Sequence, residues 1–335
     1  MKRSLFLCLS ALAAAGSAQE SAETGSTRIA RWAGDRTAAF ELMFDDSCPS
    51  HWQIAIPELA NRGLIGTFYL NPGKAEYTKF RDGWETNYWK QGMVYADHTM
   101  THKGVHGLAE AEGEIGDCAA IIRRIIPGSE GKLLSYGQPG VGPNDWTITK
   151  AELADLLKRH HLISRPELAA HMAVYHLKTA AEMLALADKA IAAKSAEFIV
   201  IHGIERKLPD WHYQDFWALK QDIFFPFLDG IKERRDKGDL WVTDHISAHQ
   251  YATERDAATV RVLEAGANRI RLELACTADP QLYDLPLTLV TRVPPAWKRA
   301  IATQGTHSTT GNVENAALRY DAVPGAAPIH IEPGP

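Results

Sequence analysis

The stretch Phe40-Glu41-Leu42-Met43-Phe44-Asp45-Asp46-Ser47 decides how the chain is read. An apolar run there ends in two adjacent carboxylates and leads into Cys48-Pro49-Ser50. Side chains alternate across a strand, so neighbouring aspartates face opposite ways if the strand runs on. A backbone turn at its end can bring both into one pocket. Like charges that close repel, so such a pair needs a cation or a shared proton. The plainer alternative is a solvated turn, where aspartate is common.

Working outward, Arg28 to Phe44 contains the first strand, and His51 to Arg62 has apolar residues at helical spacing and stops at Gly63. Leu64 to Leu70 reads as a buried strand closed by Asn71-Pro72-Gly73. Strand, helix, strand at this spacing is a βαβ unit and predicts a parallel sheet. The alternation continues: a surface helix over Trp84 to Gln91, a strand at Gly92 to Tyr95, a helix over Glu110 to Ile126 and a strand at Lys132 to Tyr136. Helices follow at Ala151 to His160 and Thr179 to Ser195, with weaker strands at Leu162 to Arg165 and Ala173 to Tyr175 between them. Glu197 to His202 is a buried strand, Asp222 to Lys237 a helix, Leu240 to Thr243 a strand and His249 to Arg255 a closing helical turn. Beyond residue 256 only short strand-like runs remain, Val260 to Leu263, Arg269 to Cys276, Leu287 to Arg292, Arg299 to Thr303 and Ala317 to Tyr320, punctuated by Pro280, Pro286, Pro294-Pro295, Gly305 and Gly311. That is the pattern of a small all-β domain over 256–335.

With 335 residues, 45% hydrophobic and 23% charged, the chain has an ordinary globular composition. A formal charge of −5 argues against nucleic acid or an anionic membrane as partner. Residues 1–18 read as a secretory signal peptide: Lys2 and Arg3, an apolar stretch from Leu5 to Ala15, then Gly16-Ser17-Ala18. The apolar stretch is shorter than the ~20 residues a membrane span needs. The expected location is secreted or periplasmic. Cys48, Cys118 and Cys276 would remain, an odd number that argues against a dense disulfide framework.

Two further signals bear on chemistry. In Asp97-His98-Thr99-Met100-Thr101-His102 the imidazoles are four apart, placing them on one face of a helical turn. With Asp46 as third donor they suit one Zn²⁺-like ion with an open coordination position; a His102/His106 pair is the alternative. His202 ends a buried strand, and active sites of parallel α/β architectures form at that end.

Together, Phe44-Asp45-Asp46-Ser47, Gly66-Thr67-Phe68-Tyr69, His98-Thr99-Met100-Thr101-His102 and Phe198-Ile199-Val200-Ile201-His202 resemble the ordered motifs of the polysaccharide deacetylases, the NodB-homology group or carbohydrate esterase family 4. The resemblance covers roughly residues 28–255. It implies an α/β fold, a distorted, incomplete (β/α) barrel. It also implies Asp46, His98 and His102 as metal ligands, Asp45 as general base and His202 as general acid. The ion would be divalent, Zn²⁺ first, with Co²⁺ or Ni²⁺ as alternatives, and the partner an acetylated poly- or oligosaccharide. In the family an Arg-Pro-Pro-Tyr-like loop supplies a backbone donor to the oxyanion. The corresponding stretch here, Ser135 to Gly140, has no arginine, and Tyr136 is the candidate amide donor. Trp146 is either a sugar-stacking face or a core residue, and Trp211, just past the His202 strand, is a candidate for the mouth of the site.

The expected function is a secreted, metal-dependent carbohydrate deacetylase hydrolysing N- or O-acetyl groups through an activated water. A cyclic-amide hydrolase of the allantoinase-like type is a second reading, disfavoured by the export signal. A non-catalytic carbohydrate-binding protein is a third, disfavoured by the retention of all five chemical residues.

Overall fold

The computed structural model describes residues 23–206 and 215–335; the expected leader and Trp211 lie outside the described residues. The first eight strands are β1 (Thr27–Ile29), β2 (Ala38–Phe44), β3 (Thr67–Leu70), β4 (Val94–Asp97), β5 (Leu134–Tyr136), β6 (Leu162–Ser164), β7 (Ala196–Ile201) and β8 (Leu240–Thr243). All but β1 form one parallel sheet in the order β6-β5-β4-β3-β2-β7, with β8 also on β2. Along one edge β2 pairs with β7 over Ala39–Phe44. Its other edge is shared, Ala38–Glu41 with β8 and Met43–Phe44 with β3, and this split curls the sheet. Between β6 and β7 the curl is spanned by an isolated bridge, Met172 to Val200. The result is the expected distorted, incomplete barrel.

Alternation along the strands sorts the two faces. Phe40, Leu42, Phe44, Phe68, Leu70, Tyr95 and Tyr136 point outward and pack under the helices in one large core. Met43, Tyr69, Ala96, Phe198 and Val200 point inward. The helix expected over 110–126 runs from 108 to 125 with a π-helical turn in its middle. The surface helix expected at Trp84 is instead a short helix, Arg81–Thr86, and a 3₁₀ turn; Trp84 is fully buried and stacks on Tyr77.

The remaining strands are β9 (Ala258–Ala265), β10 (Ile270–Cys276), β11 (Leu287–Arg292), β12 (Arg299–Gln304), β13 (His307–Asn312), β14 (Ala317–Ala322) and β15 (Ile329–Pro333). They build antiparallel sheets in the orders β13-β12-β15-β10-β9 and β1-β11-β14. Leu289, Leu318 and Tyr320 of the smaller sheet and Ile270, Leu272 and Ile331 of the larger share one core, so this is a sandwich. β1 thus belongs to the sandwich, not to the head of the barrel. Ile29 faces Leu289 across the ladder and packs against the sandwich core, and the Thr27 and Thr291 hydroxyls meet at 2.9 Å.

Candidate metal centre and active site

The carboxyl ends of β2, β4 and β7 meet at one place. Asp45 follows the inward row Glu41-Met43, His98 follows Ala96, and His202 follows Phe198-Val200. Parity alone would send Asp46 to the helix layer. The backbone turns instead, with φ of 77° at Asp46 and 53° at Ser47, and returns its carboxylate to the same side. Side chains rarely adopt such positive φ values, and they persist where surrounding structure enforces them. Here the Ser47 hydroxyl accepts the Asn71 amide at 2.9 Å.

The His98–His102 segment is not the helical turn expected from its spacing. Thr99 and His102 have φ of 65° and 61° and the segment is a loop. Partners from outside the segment hold it: Asn71 donates to the Thr99 carbonyl at 3.0 Å, Asp97 accepts the Thr99 amide at 2.8 Å, and Glu114 accepts the Thr101 amide and hydroxyl at 2.8 and 2.7 Å. The imidazoles nevertheless converge, with ring centroids 5.0 Å apart. His106 is exposed and outside the cluster.

Asp46, His98 and His102 each offer a donor atom, all within 4.8 Å of one another. Asp46 Oδ1 lies 3.7 Å from His98 Nε2 and 3.3 Å from His102 Nε2. It is buried and accepts no hydrogen bond. His98 Nδ1 donates to the Gly137 carbonyl at 2.7 Å, and burial pushes the imidazole down to about 4, so it is neutral with the Nε2 lone pair facing Asp46. One carboxylate with a bare oxygen and two imidazoles is the donor set of an open divalent-metal site. The residues fit the ion the sequence implies. Lys74 Nζ, 3.5 Å from the same Oδ1, is a cationic neighbour not foreseen from the sequence.

Asp45 is held differently. Arg165, from just beyond β6, grips its carboxylate with two parallel hydrogen bonds of 2.5 and 2.8 Å. The side chains are 4% and 2% exposed. Burial alone would raise this carboxyl; the Arg165 guanidinium outweighs it and, with His98 and His202, holds it well below the usual carboxylate range. Arg165 in turn stacks 4.4 Å over the Tyr69 ring, whose hydroxyl meets Ser135 at 2.8 Å; Ser135 meets His245 Nδ1 at 2.7 Å. The arginine passes so close to Gly137 that a Cβ there would lie 2.8 Å from Cζ.

His202 Nε2 is 3.9 Å from Asp46 Oδ2, and its buried Nδ1 has no hydrogen-bond partner. Its carbonyl accepts from His51 Nε2 at 2.7 Å; burial pushes His51 down to about 4, keeping it a neutral donor. Trp217 packs edge-on against His202, ring centroids 4.9 Å apart, and is itself 48% exposed; Tyr175, 42% exposed, lies 5.0 Å from it. Trp217 has φ of 43°. Its segment is tied down by the Gly203 amide on the Phe216 carbonyl at 2.8 Å and by the Arg206–Asp215 ion pair.

Asp45, Asp46, His98, His102 and His202 therefore come together, while the side chains of Tyr136 and Trp146 pack on the helix side. The Tyr136 ring lies on the helix side of β5, 1% exposed, and its carbonyl accepts the Arg165 amide at 2.8 Å. Trp146 is half-buried against the main core and bridged to Val105. Cys48 is fully buried, which pushes its thiol up and agrees with a packing role. Arg165 and Trp217 were missed. Arg165-Pro166 is the sequence's sole Arg-Pro pair and follows a strand candidate, a usable signal; Trp217 carried none.

No family model matches the chain. Among curated proteins, a gellan lyase from Bacillus sp is 22% identical over 315 residues, an overlap taking in 84% of this chain and 12% of that protein. The chain thus spans about an eighth of that relative's length. Among solved structures it is similar to the family 4 carbohydrate esterase from Streptomyces lividans, at 16% identity and a TM-score of 0.41, covering 63% of this chain and 94% of that one. A peptidoglycan deacetylase from Bacillus subtilis gives 12% identity and 0.41, with 64% and 90% covered. A family 4 carbohydrate esterase from Bacillus anthracis gives 13% and 0.40, with 62% and 80% covered. The overlaps are partial, and the functional argument rests on the side-chain geometry.

Proposed function

We propose that this chain is a secreted, divalent-metal-dependent carbohydrate deacetylase that hydrolyses N- or O-acetyl groups on a poly- or oligosaccharide. The observation that carries the reading is the pairing of an Asp46–His98–His102 donor triangle with a second carboxylate, Asp45, clamped by a buried arginine. A bound ion, Zn²⁺ first with Co²⁺ or Ni²⁺ as alternatives, would supply the Lewis acidity that makes water nucleophilic near neutral pH. Asp45 stays ionised throughout the working pH range and takes the proton from that water at its carboxylate. Arg165 lowers its basicity, so the arginine's contribution is to fix the oxygen's direction. His202, once protonated, hands a proton to the departing amine or alcohol. Trp217 and Tyr175 present exposed aromatic faces beside His202, suited to a sugar ring.

Acetate release from acetylated xylan, chitin oligomers and peptidoglycan, measured on metal-stripped and Zn²⁺-reloaded protein, tests the reading. Release from at least one substrate, lost on stripping and regained on reloading, is expected. Glycan binding without release under any divalent ion would contradict it, and ring opening of a cyclic amide would favour the allantoinase-like alternative.

A further inference from the structure

The sandwich carries a groove of about 630 Å³ on the outer face of its three-stranded sheet, within the size range of small-molecule sites. Its floor follows from register. Arg28, Val290 and Arg319 sit opposite one another across β1, β11 and β14, and Arg292 is two residues beyond Val290 on the same face. The intervening residues Ile29, Leu289 and Leu318 point into the sandwich core, so the arginines must point out. Adjacent strands lie about 4.8 Å apart, which puts the three guanidinium stems within a patch of roughly 10 Å. Like charges on so small a surface repel one another, and among the described residues only Arg28 of the three has an ion-pair partner.

Two are pre-aimed. Asp35 holds the Arg28 fork bidentately at 2.9 and 2.7 Å, and the Asn315 carbonyl accepts from Arg292. Among the described residues no hydrogen bond or ion pair reaches the side chain of Arg319. The rim is a two-residue hairpin turn with φ of 51° at Asn315 and 55° at Ala316, the second a strained conformation for a residue with a Cβ. Above β14 the chain approaches so closely at Gly311 that a Cβ there would meet Leu318 at 2.9 Å.

We propose that this groove binds an acidic saccharide unit, a uronate-type sugar whose carboxylate is received by Arg319 and Arg292. Guanidinium forks match carboxylates bidentately. Asp35, Glu314 and Asn312 along the walls supply acceptors and an amide for sugar hydroxyls. Those two carboxylates disfavour a densely charged ligand such as a polyphosphate or nucleic acid, and Val290 and Ala317 offer too little apolar surface for a lipid chain. One carboxylate among many hydroxyls satisfies the lining. Use of the groove to hold the barrel's substrate rests on the deacetylase reading; the binding itself does not.

The test is calorimetric titration of the intact protein at low salt with tetragalacturonate, cellotetraose and tripolyphosphate. Tetragalacturonate binds, cellotetraose does not, and added salt weakens the binding. Arg319→Gln and Arg292→Gln each weaken it about tenfold or more, as expected for loss of a charge-assisted pair. Asp46→Asn leaves it unchanged. Arg319 is exposed, so its variant should melt with the wild type. No binding, undiminished binding by Arg319→Gln, tighter binding of tripolyphosphate, or loss in Asp46→Asn alone would each overturn the proposal. Tetragalacturonate binding by a protein that releases no acetate would overturn the reading of the barrel and leave the groove standing.

Discussion

The barrel and the sandwich treat charge in opposite ways. The sandwich core is apolar, with its buried hydroxyls paired, as between Thr291 and Tyr320 at 2.9 Å, and its arginines on the outside. At the barrel's carboxyl edge Asp45, Asp46, His98 and His202 are all at most 6% exposed, and Asp46 Oδ1 and His202 Nδ1 have no hydrogen-bond partner. Burying an unpaired polar atom costs about 1–3 kcal/mol. A fold that needed only stability would not set two such atoms beside two further buried ionisable groups at one sheet edge. The contrast says that the sandwich's interior is organised for packing and the barrel's edge for chemistry.

That comparison breaks most readily at Arg165. Arg165→Met leaves Asp45 buried without its counter-charge, and a loss of about 3–5 kcal/mol in unfolding free energy is expected. Adding Asp45→Asn to the same protein should restore most of it. Chemical denaturation of the two variants checks this, and a loss below about 1 kcal/mol in the single variant would mean that the pair is not holding the site. In the sandwich the expectation reverses. Leu289→Ala empties a fully buried site at a cost of about 2–5 kcal/mol, yet metal affinity below the melting transition should stay that of the wild type. A matching loss of metal affinity would show that the two halves are energetically one.

A third expectation concerns Glu41, on the barrel's inner row. Burial, then the charge of Asp244, push its carboxyl up from 4.5 to about 8. Between those values the folded chain holds a proton that the unfolded chain releases, so stability falls as pH rises through the window, by at most about 1.4 kcal/mol per unit. Glu41→Gln mimics the protonated form and should flatten the fall. An unchanged slope in denaturant midpoints taken from pH 5 to pH 8 would show that Glu41 is not its source.

What was legible in the sequence follows the same division. Strand ends carrying Asp45, His98 and His202 could be read because period-two alternation and strand boundaries are local. The His98–His102 turn could not, because its shape is set by Asn71 and Glu114 from other segments rather than by its own spacing. The arginine behind Asp45 carries no mark of its partner in the sequence, because it arrives from just beyond β6, 120 positions along the chain from that partner. β13 escaped because His307–Asn312 is an edge strand with almost every side chain exposed, so no apolar period marks it. β1 is not legible as a separate strand because three residues carry no sign of which sheet they will join.

The division of labour between the adjacent aspartates is the central claim, and one paired measurement tests it most directly: bound Zn²⁺ per chain alongside acetate release in Asp45→Asn and Asp46→Asn. Asp45→Asn should keep one ion per chain while release falls about 10²- to 10⁴-fold, and Asp46→Asn should lose the ion. Undiminished release by Asp45→Asn, or a full complement of metal in Asp46→Asn, would contradict the account.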